Sequence, residues 1–145
     1  NAGSASNRLG TSFAATGTIN TSDARLKTPV RSMSAAELAA ARDLGAEIGF
    51  FKWVDSVETK GLESREHCGT TVQRAIEIMQ EHGLDPFNYG FICYDAWDEQ
   101  VELDDDTGEV LRTIPAGDRY SFRFDQLTLF IARGMEERIR LLENK

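Results

Sequence analysis

A serine and a lysine lie five residues apart near the start of the chain, in the segment Ser22–Lys27 ("SDARLK"). A serine hydroxyl becomes a good nucleophile only when a base removes its proton, and a neutral lysine amine is one such base. An unperturbed lysine has a pKa of about 10.4, so burial or a nearby cation such as Arg25 would have to favour the neutral form. This pair of residue types is suited to cutting a peptide bond.

The spacing of the two residues favours a turn over a helix. Residues on one helix face are three or four positions apart, so Ser22 and Lys27 can meet only if the chain bends back on itself. A serine and a lysine at this spacing are also common by chance. From residue types alone, a solvated turn capped by Ser22 or Asp23 remains the competing interpretation.

The composition limits the classes of protein and partner. The chain has 145 residues, of which 41% are apolar, which is enough for one domain with a hydrophobic core. Its 24 acidic and 16 basic residues give a net charge of −8, which argues against nucleic acid or an anionic membrane as a partner. The sequence opens without methionine or a secretory signal pattern, and we expect a fragment of a longer polypeptide.

Residue types that commonly bind metals or form disulfides are present but lack the required spacing. Cys68 and Cys93 form neither a CxxC pair nor a disulfide framework, so we predict two reduced and partly buried thiols. A reactive Cys68 beside His67 is the alternative. The acidic run 104–106 lacks the spacing of a calcium-binding loop and predicts a solvated turn. No metal site and no cofactor are therefore predicted.

The first 22 residues differ in composition from the rest of the chain. They are rich in Gly, Ser, Thr, Ala and Asn, contain no acidic residue, and include the alternating stretch "TGTINTS". Such a segment predicts short extended pieces that bury little surface alone. We interpret residues 1–22 as the end of a β-stalk whose partners lie upstream or in other chains.

From residue 23 onward the pattern is that of a small mixed α+β domain. Ser34 and Glu37 have the spacing of a capping box, which predicts a helix start. A second helix has an apolar stripe and ends before Gly83, which is well placed as its C′ residue. The pattern predicts helices over about 35–44, 70–82 and 125–143, and strands over 49–54, 89–97 and 120–124.

The last predicted helix has two possible roles. Its apolar residues lie three or four positions apart: Leu127, Ile131, Met135, Ile139 and Leu142. This stripe could pack on the helix's own domain, or it could join identical helices around an axis as in a coiled coil. Its terminal position and charged flanks favour self-association, although Gly134 would weaken the seam.

Three motifs resemble a known family. The segment "INTSDARLK" resembles the start of the C-terminal intramolecular chaperone domain of phage tailspikes and tail fibres, of the endosialidase type. "EHCGTTVQRAIEIMQEHGLDPFNYGF" and "RYSFRFDQLTLFIARGMEERIRLL" resemble its later motifs in the same order. The resemblance covers about residues 16–142. One departure is Val72, which stands before Gln73 where the family commonly has alanine.

The resemblance implies a fold and an activity. The fold would be a homotrimer with a triple β-helix stalk end, a mixed domain over 23–145 and a trimerising C-terminal helix. The activity would be single-turnover self-cleavage by a serine endopeptidase mechanism. Ser22 and Lys27 would form the catalytic dyad, and the cut would fall between Ser22 and Asp23. His67, in the motif His-x-Gly, would assist, and Asn20 and Arg25 would support the site.

The resemblance also implies partners and a location. The partners would be two further copies of this chain and the upstream stalk of the same polypeptide, without nucleic acid or membrane. The protein would be made in the cytoplasm of a bacterial host, with the upstream part in the virion tail and the chaperone domain released. One alternative is an uncut trimerisation or receptor-binding tip. The module also resembles the self-cleaving region of myelin regulatory factor, which releases a DNA-binding part.

Overall fold

The computed structural model describes residues 11–14 and 17–145, with side chains described from Thr21 onward. Within these residues the strands are β1 (Thr11–Ala14), β2 (Gly17–Asn20), β3 (Gly49–Phe51), β4 (His67–Gly69), β5 (Ile92–Trp97), β6 (Gln100–Leu103), β7 (Val110–Ile114) and β8 (Gly117–Phe122). The α-helices are α1 (Ala35–Ala46), α2 (Val54–Lys60), α3 (Val72–Glu81) and α4 (Phe124–Glu143). The chain forms two compact units, residues 1–32 and 33–145, here called the N-terminal and C-terminal units.

The N-terminal unit contains an antiparallel pair of strands and a short turn. Thr11 in β1 lies opposite Asn20 in β2, and a 3-10 turn follows at Ala24–Leu26. The extended pieces predicted from the alternating polar sequence are therefore present in 11–14 and 17–20. Residues 21–22 of the predicted stalk segment are described but belong to neither strand, and its residues 1–10 and 15–16 lie outside the described residues.

The core of the C-terminal unit lies between three helices and the start of β5. Helix α1 packs against both α3 and α4. The largest side chains that are completely buried come from α1 and α3: Leu44, Ile78 and Met79. The further buried apolar residues are Ala40, Ala41, Val72, Ala75, Phe91, Ile92, Leu127 and Phe130. Burial of this apolar surface is the main source of stability for the unit.

Helix α1 begins with the predicted capping box. The Ser34 hydroxyl accepts a hydrogen bond from the Glu37 backbone N–H, and the Glu37 carboxylate accepts one from the Ser34 N–H. Glu37 is buried, and its second carboxylate oxygen accepts a hydrogen bond from the Tyr89 hydroxyl at 2.7 Å. A buried carboxylate needs such partners, so this contact also ties the start of α1 to the segment before β5.

Two predicted strands end earlier than expected because helices begin within them. The strand predicted over 49–54 ends at Phe51, since α2 starts at Val54 with Asp55 in its first turn and Lys60 in its last. These charges complement the helix dipole. The strand predicted over 120–124 ends at Phe122, because Phe124 is already the first residue of α4.

The sheets are antiparallel pairs of strands. Strand β3 pairs with β4, β5 with β8, and β6 with β7. Strand β4 follows the segment "VETKG" in the sequence and pairs with β3 so that Phe51 lies opposite His67. Gly83 follows the last turn of α3 and has a φ of 74°. Beside it, the Leu84 N–H donates a hydrogen bond to the Met79 carbonyl at 2.9 Å. This confirms Gly83 as the C′ residue of the helix.

Candidate functional site

The side chains of Ser22 and Lys27 are in contact. The Lys27 Nζ donates a hydrogen bond to the Ser22 Oγ over 2.6 Å. Both residues are exposed to solvent in the single chain. An amine at this distance is within reach of the hydroxyl proton, so the geometry is one in which a neutral lysine could act on the serine.

The 3-10 turn between the two residues brings them together. Asp23 caps the turn, the Leu26 N–H donates to the Asp23 carbonyl at 3.0 Å, and the chain returns to an extended conformation at Lys27. A 3-10 helix has three residues per turn. This turn, with its flanking residues, closes the five-residue spacing, as the sequence predicts.

Asp23 and Arg25 form a second pair within the same turn. The Asp23 carboxylate accepts hydrogen bonds from the Arg25 backbone N–H at 2.9 Å, from its Nε at 3.1 Å and from its Nη2 at 2.6 Å. The Arg25 guanidinium, and then its backbone N–H, lowers the pKa of Asp23 below its ordinary value. Arg25 was one candidate for a cation acting on Lys27, but its guanidinium is engaged by Asp23.

Of the two other predicted site residues, His67 has a described side chain and Asn20 does not. Asn20 is the last residue of β2, and its side chain lies outside the described part of the chain. His67 belongs to the C-terminal unit, on β4, opposite Phe51. Its ring stacks on Phe51, with centroids 5.8 Å apart, and lies 6.1 Å from the Trp53 ring. These contacts hold His67 in an aromatic cluster.

In the part of the chain that the structure describes, the side chains that could bind a metal lie apart from one another. Over the described residues, no group of three or more His, Cys, Asp or Glu side chains could hold a metal ion. The carboxylate of Asp104 accepts hydrogen bonds from the backbone N–H of Thr107 and of Asp106, which lower its pKa. The acidic run is thus the cap of the turn between β6 and β7. Cys68 and Cys93 are free thiols, as predicted, but the predicted partial burial holds only for Cys93, since Cys68 is exposed.

Helix α4 has two apolar faces. Its inner face packs in the core and contains Leu127 and Phe130, which are 4% and 9% exposed. Its outer face contains Met135, Ile139 and Leu142, which are at least half exposed. The predicted stripe that ran from Leu127 to Leu142 therefore joins residues of two different faces.

The exposed stripe on the outer face extends further towards the start of the helix than the apolar pattern of the sequence predicts. Two exposed residues precede Met135 at the same spacing, so that the outer stripe consists of Thr128, Ala132, Met135, Ile139 and Leu142. The spacing of four, three, four and three is the heptad pattern of a coiled-coil seam. Thr128 and Ala132 were missed because neither is strongly apolar.

Gly134 has a different role from the one predicted. It is buried against α1, and a Cβ atom there would lie 2.7 Å from the Ala41 Cβ and 3.1 Å from the Arg42 backbone nitrogen. Real Cβ atoms do not approach so closely, so this glycine allows α1 and α4 to pack backbone to backbone. It lies on the inner face and leaves the outer stripe uninterrupted.

No helix within the described residues is both long and apolar enough to cross a lipid bilayer.

The sequence is similar to that of phage tail proteins. The family described as "Chaperone of endosialidase" matches residues 22–84, a range that begins at Ser22. The chain is 51% identical over 153 residues to the side tail fiber protein pb1 of Escherichia phage T5, covering all of this chain and 11% of that protein. It is 38% identical over 144 residues to the tail spike protein of Escherichia virus K5, covering 97% of this chain and 22% of that protein.

The fold is similar to those of two solved structures. One is the carboxy-terminal domain of the bacteriophage T5 L-shaped tail fiber with its intra-molecular chaperone domain, at a TM-score of 0.76 and 50% identity over 99% of this chain and 36% of that one. The other is described as a novel intramolecular chaperone, at a TM-score of 0.65 and 29% identity over 82% of this chain and 98% of that one. The chain therefore belongs to the endosialidase-chaperone family, the intramolecular chaperone domains at the C-terminal ends of phage tail fibres and tailspikes.

Proposed function

We propose that this domain trimerises, templates the folding of an upstream triple β-helix stalk, and then releases itself by cutting the bond between Ser22 and Asp23. The observation that carries the self-cleavage is the contact of 2.6 Å between the Lys27 Nζ and the Ser22 Oγ. Family membership supports the chaperone role. The relatives are much longer than this chain, so the fibre that it serves belongs to the proposal.

The position of the cut limits the identity of the attacking atom. Attack of the Ser22 Oγ on its own carbonyl would close a strained four-membered ring. Attack on the Thr21 carbonyl would close a five-membered ring, but it would transfer the acyl group to the hydroxyl and cut before Ser22. A cut after Ser22 therefore favours water as the nucleophile, oriented by the Ser22 hydroxyl and the Lys27 amine.

The proposed step is a hydrolysis that consumes one water molecule. The water oxygen bonds to the Ser22 carbonyl carbon while the Lys27 amine takes a water proton. The bond from that carbon to the Asp23 nitrogen then breaks, and the nitrogen receives a proton as it leaves. The products are a Ser22 carboxylate at the end of the stalk and an Asp23 amino group at the start of the released domain.

In this proposal, hydrolysis takes place only after the trimer has assembled. In the single chain both residues of the dyad are exposed, and an exposed lysine is a poor base near neutral pH because water stabilises its charge. Burial between protomers would favour the neutral amine. A chain that had not assembled would then stay uncut, so cleavage would follow correct trimer formation.

The outer stripe of α4 supports the proposal that the domain forms a trimer. It presents Met135, Ile139 and Leu142 to solvent at heptad spacing, and packing three copies together would remove this apolar surface from water. A stalk made of three chains has few local contacts, so aligning its ends first raises their effective concentration. Cutting afterwards would remove the route by which the stalk unwinds, leaving it kinetically trapped in the tail of the virion.

We assign His67 a supporting role in this proposal. Its position in the aromatic cluster with Phe51 and Trp53 would let it contact the stalk or the cleavage loop of an assembled trimer. A His67→Phe change, which keeps an aromatic ring, would then slow cleavage if the imidazole nitrogens take part and leave it unchanged if only packing matters. Asn20 and Arg25 are proposed to shape the loop on either side of the cut.

One observation favours a second candidate, a permanent trimeric tip. The exposure of Ser22 and Lys27 is also what a solvated turn without chemistry would show. Intact mass spectrometry of the full-length polypeptide beside a Ser22→Ala variant separates the two. The proposed function predicts a wild-type fragment that begins at Asp23 and an uncut variant. A fragment that begins at Ser22 would move the attack to the Thr21 carbonyl, and an uncut wild-type trimer would establish the permanent tip.

A further inference from the structure

The charges of the cleavage turn suggest a role for Arg25 beyond shaping the loop. Asp23 is the only carboxylate residue in the N-terminal unit, whose other charged side chains are Arg8, Arg25, Lys27 and Arg31. It directly follows Ser22, the residue whose Oγ contacts the Lys27 amine. Asp23 is therefore the one acidic group of this unit placed to compete for that amine.

The structure pairs this carboxylate with Arg25. Both Asp23 oxygens accept hydrogen bonds from Arg25: Oδ1 from its backbone N–H and its Nε, and Oδ2 from its Nη2. The guanidinium matches a carboxylate with two parallel bonds, which a lysine ammonium does not do. The Lys27 Nζ donates to Ser22 instead.

We propose that Arg25 engages the Asp23 carboxylate so that it cannot pair with Lys27. This inference rests on the proposed self-cleavage. A carboxylate beside Lys27 would favour the ammonium over the amine, and an ammonium has no lone pair with which to take a proton. Arg25 is thus a positioning residue that acts on the base through Asp23 and touches neither the scissile carbonyl nor the attacking atom.

The pH dependence of the cleavage rate distinguishes the proposed role of Arg25 from a purely structural one. If Arg25 only stiffened the turn, an Arg25→Ala change would slow cleavage equally at every pH. If it frees Lys27 from Asp23, the same change would shift the pH dependence of the rate to higher pH. The effect of a nearby opposite charge, of the order of one pH unit, corresponds to about a tenfold lower rate on the rising part of the profile.

A second change makes the test sharper, because it predicts a recovery. In the Arg25→Ala background, an added Asp23→Asn change removes the freed carboxylate but keeps a side-chain oxygen that can cap the turn. The double variant should cut faster than Arg25→Ala alone, with its profile moved back towards that of the wild type. Arg25→Lys is the matched control, since it keeps a cation that can neutralise Asp23 and should shift the profile less than Arg25→Ala.

The experiment follows the cutting of newly made polypeptide. The full-length polypeptide is pulse-labelled by cell-free translation and diluted into buffers from about pH 6 to about pH 10, and the cut fraction is measured over time. Trimer content of each variant is measured on chains that also carry Ser22→Ala, so that assembly and cutting are separated. The expected result is a higher midpoint for Arg25→Ala and recovery by Asp23→Asn.

The outcomes separate the role of Arg25 from the proposed self-cleavage on which that role rests. A wild-type chain that is never cut would overturn the self-cleavage and the role of Arg25 together. A wild-type chain that is cut, with an Arg25→Ala variant whose profile keeps its midpoint, would overturn the role of Arg25 alone. The same holds if the double variant cuts no faster than Arg25→Ala, because the freed carboxylate would then not be the cause of the loss.

Discussion

The turn at Ser22–Lys27 and helix α4 are built by opposite means. The turn buries none of its residues and is held by hydrogen bonds between residues at most five positions apart. Helix α4 takes its position from apolar contacts with α1, far away in sequence. Changes in the turn should therefore alter chemistry with little effect on stability, whereas changes in α4 should alter folding or assembly.

Removing the amine of the turn is expected to have the largest effect. A Lys27→Met change keeps the length of the side chain but removes the proposed base, so the rate of self-cleavage should fall at least about a hundredfold. Because Lys27 is exposed, the unfolding temperature should stay close to that of an uncut Ser22→Ala control. Intact mass and thermal unfolding measure the two quantities. A large loss of stability would contradict the separation between the turn and the core.

Placing a charge on the outer stripe should prevent assembly. An Ile139→Asp change would bury a carboxylate in each helix of the proposed trimer, which is costly, and light scattering should show monomers. Leu141→Asp is the matched control, since Leu141 is 53% exposed and Ile139 50% but Leu141 lies off the heptad positions. Equal effects of the two changes would show that the outer stripe is not the seam.

A single added methyl group on the inner face should lower the stability of the C-terminal unit. Gly134→Ala gains about 1 kcal/mol of helix propensity, but its Cβ would meet the Ala41 Cβ at 2.7 Å. Overpacking of this kind costs about 1–3 kcal/mol, so the net free energy of unfolding should fall. Gly49→Ala is the control, because a Cβ there has nothing within 4 Å. Chemical denaturation would measure both.

The smallest expected effect is on the pH dependence of stability, and it concerns Asp104 in the turn between β6 and β7. The backbone N–H groups of Thr107 and Asp106 hold the pKa of Asp104 below its ordinary value. A lowered pKa in the folded state means that the stabilisation is present above the ordinary value of 3.8 and is lost as the pH falls through the folded value. Asp104→Asn should therefore flatten the dependence of the unfolding temperature on pH in the acid range. Parallel wild-type and variant curves would contradict this.

Local patterns predicted most of the elements correctly. The capping box of Ser34 and Glu37 placed the start of α1, and Gly83 placed the end of α3, because these signals act through hydrogen bonds between near neighbours. Strand limits were predicted less well. The run after Phe51 contains apolar residues that suit either a strand or a helix, and α2 takes Val54 and Val57 at exposed positions.

The sequence by itself determined the turn that joins Ser22 to Lys27, since the hydrogen bonds described for this turn join residues within the segment. It also determined that α4 is a helix with apolar residues at helical spacing. Only the tertiary structure decided which of those residues face inward. Leu127 and Met135 fit one stripe in the sequence, yet α1 packs against Gly134 and buries one face of the helix, and the outer stripe stays exposed. That choice depends on the packing of two distant segments, which no local pattern contains.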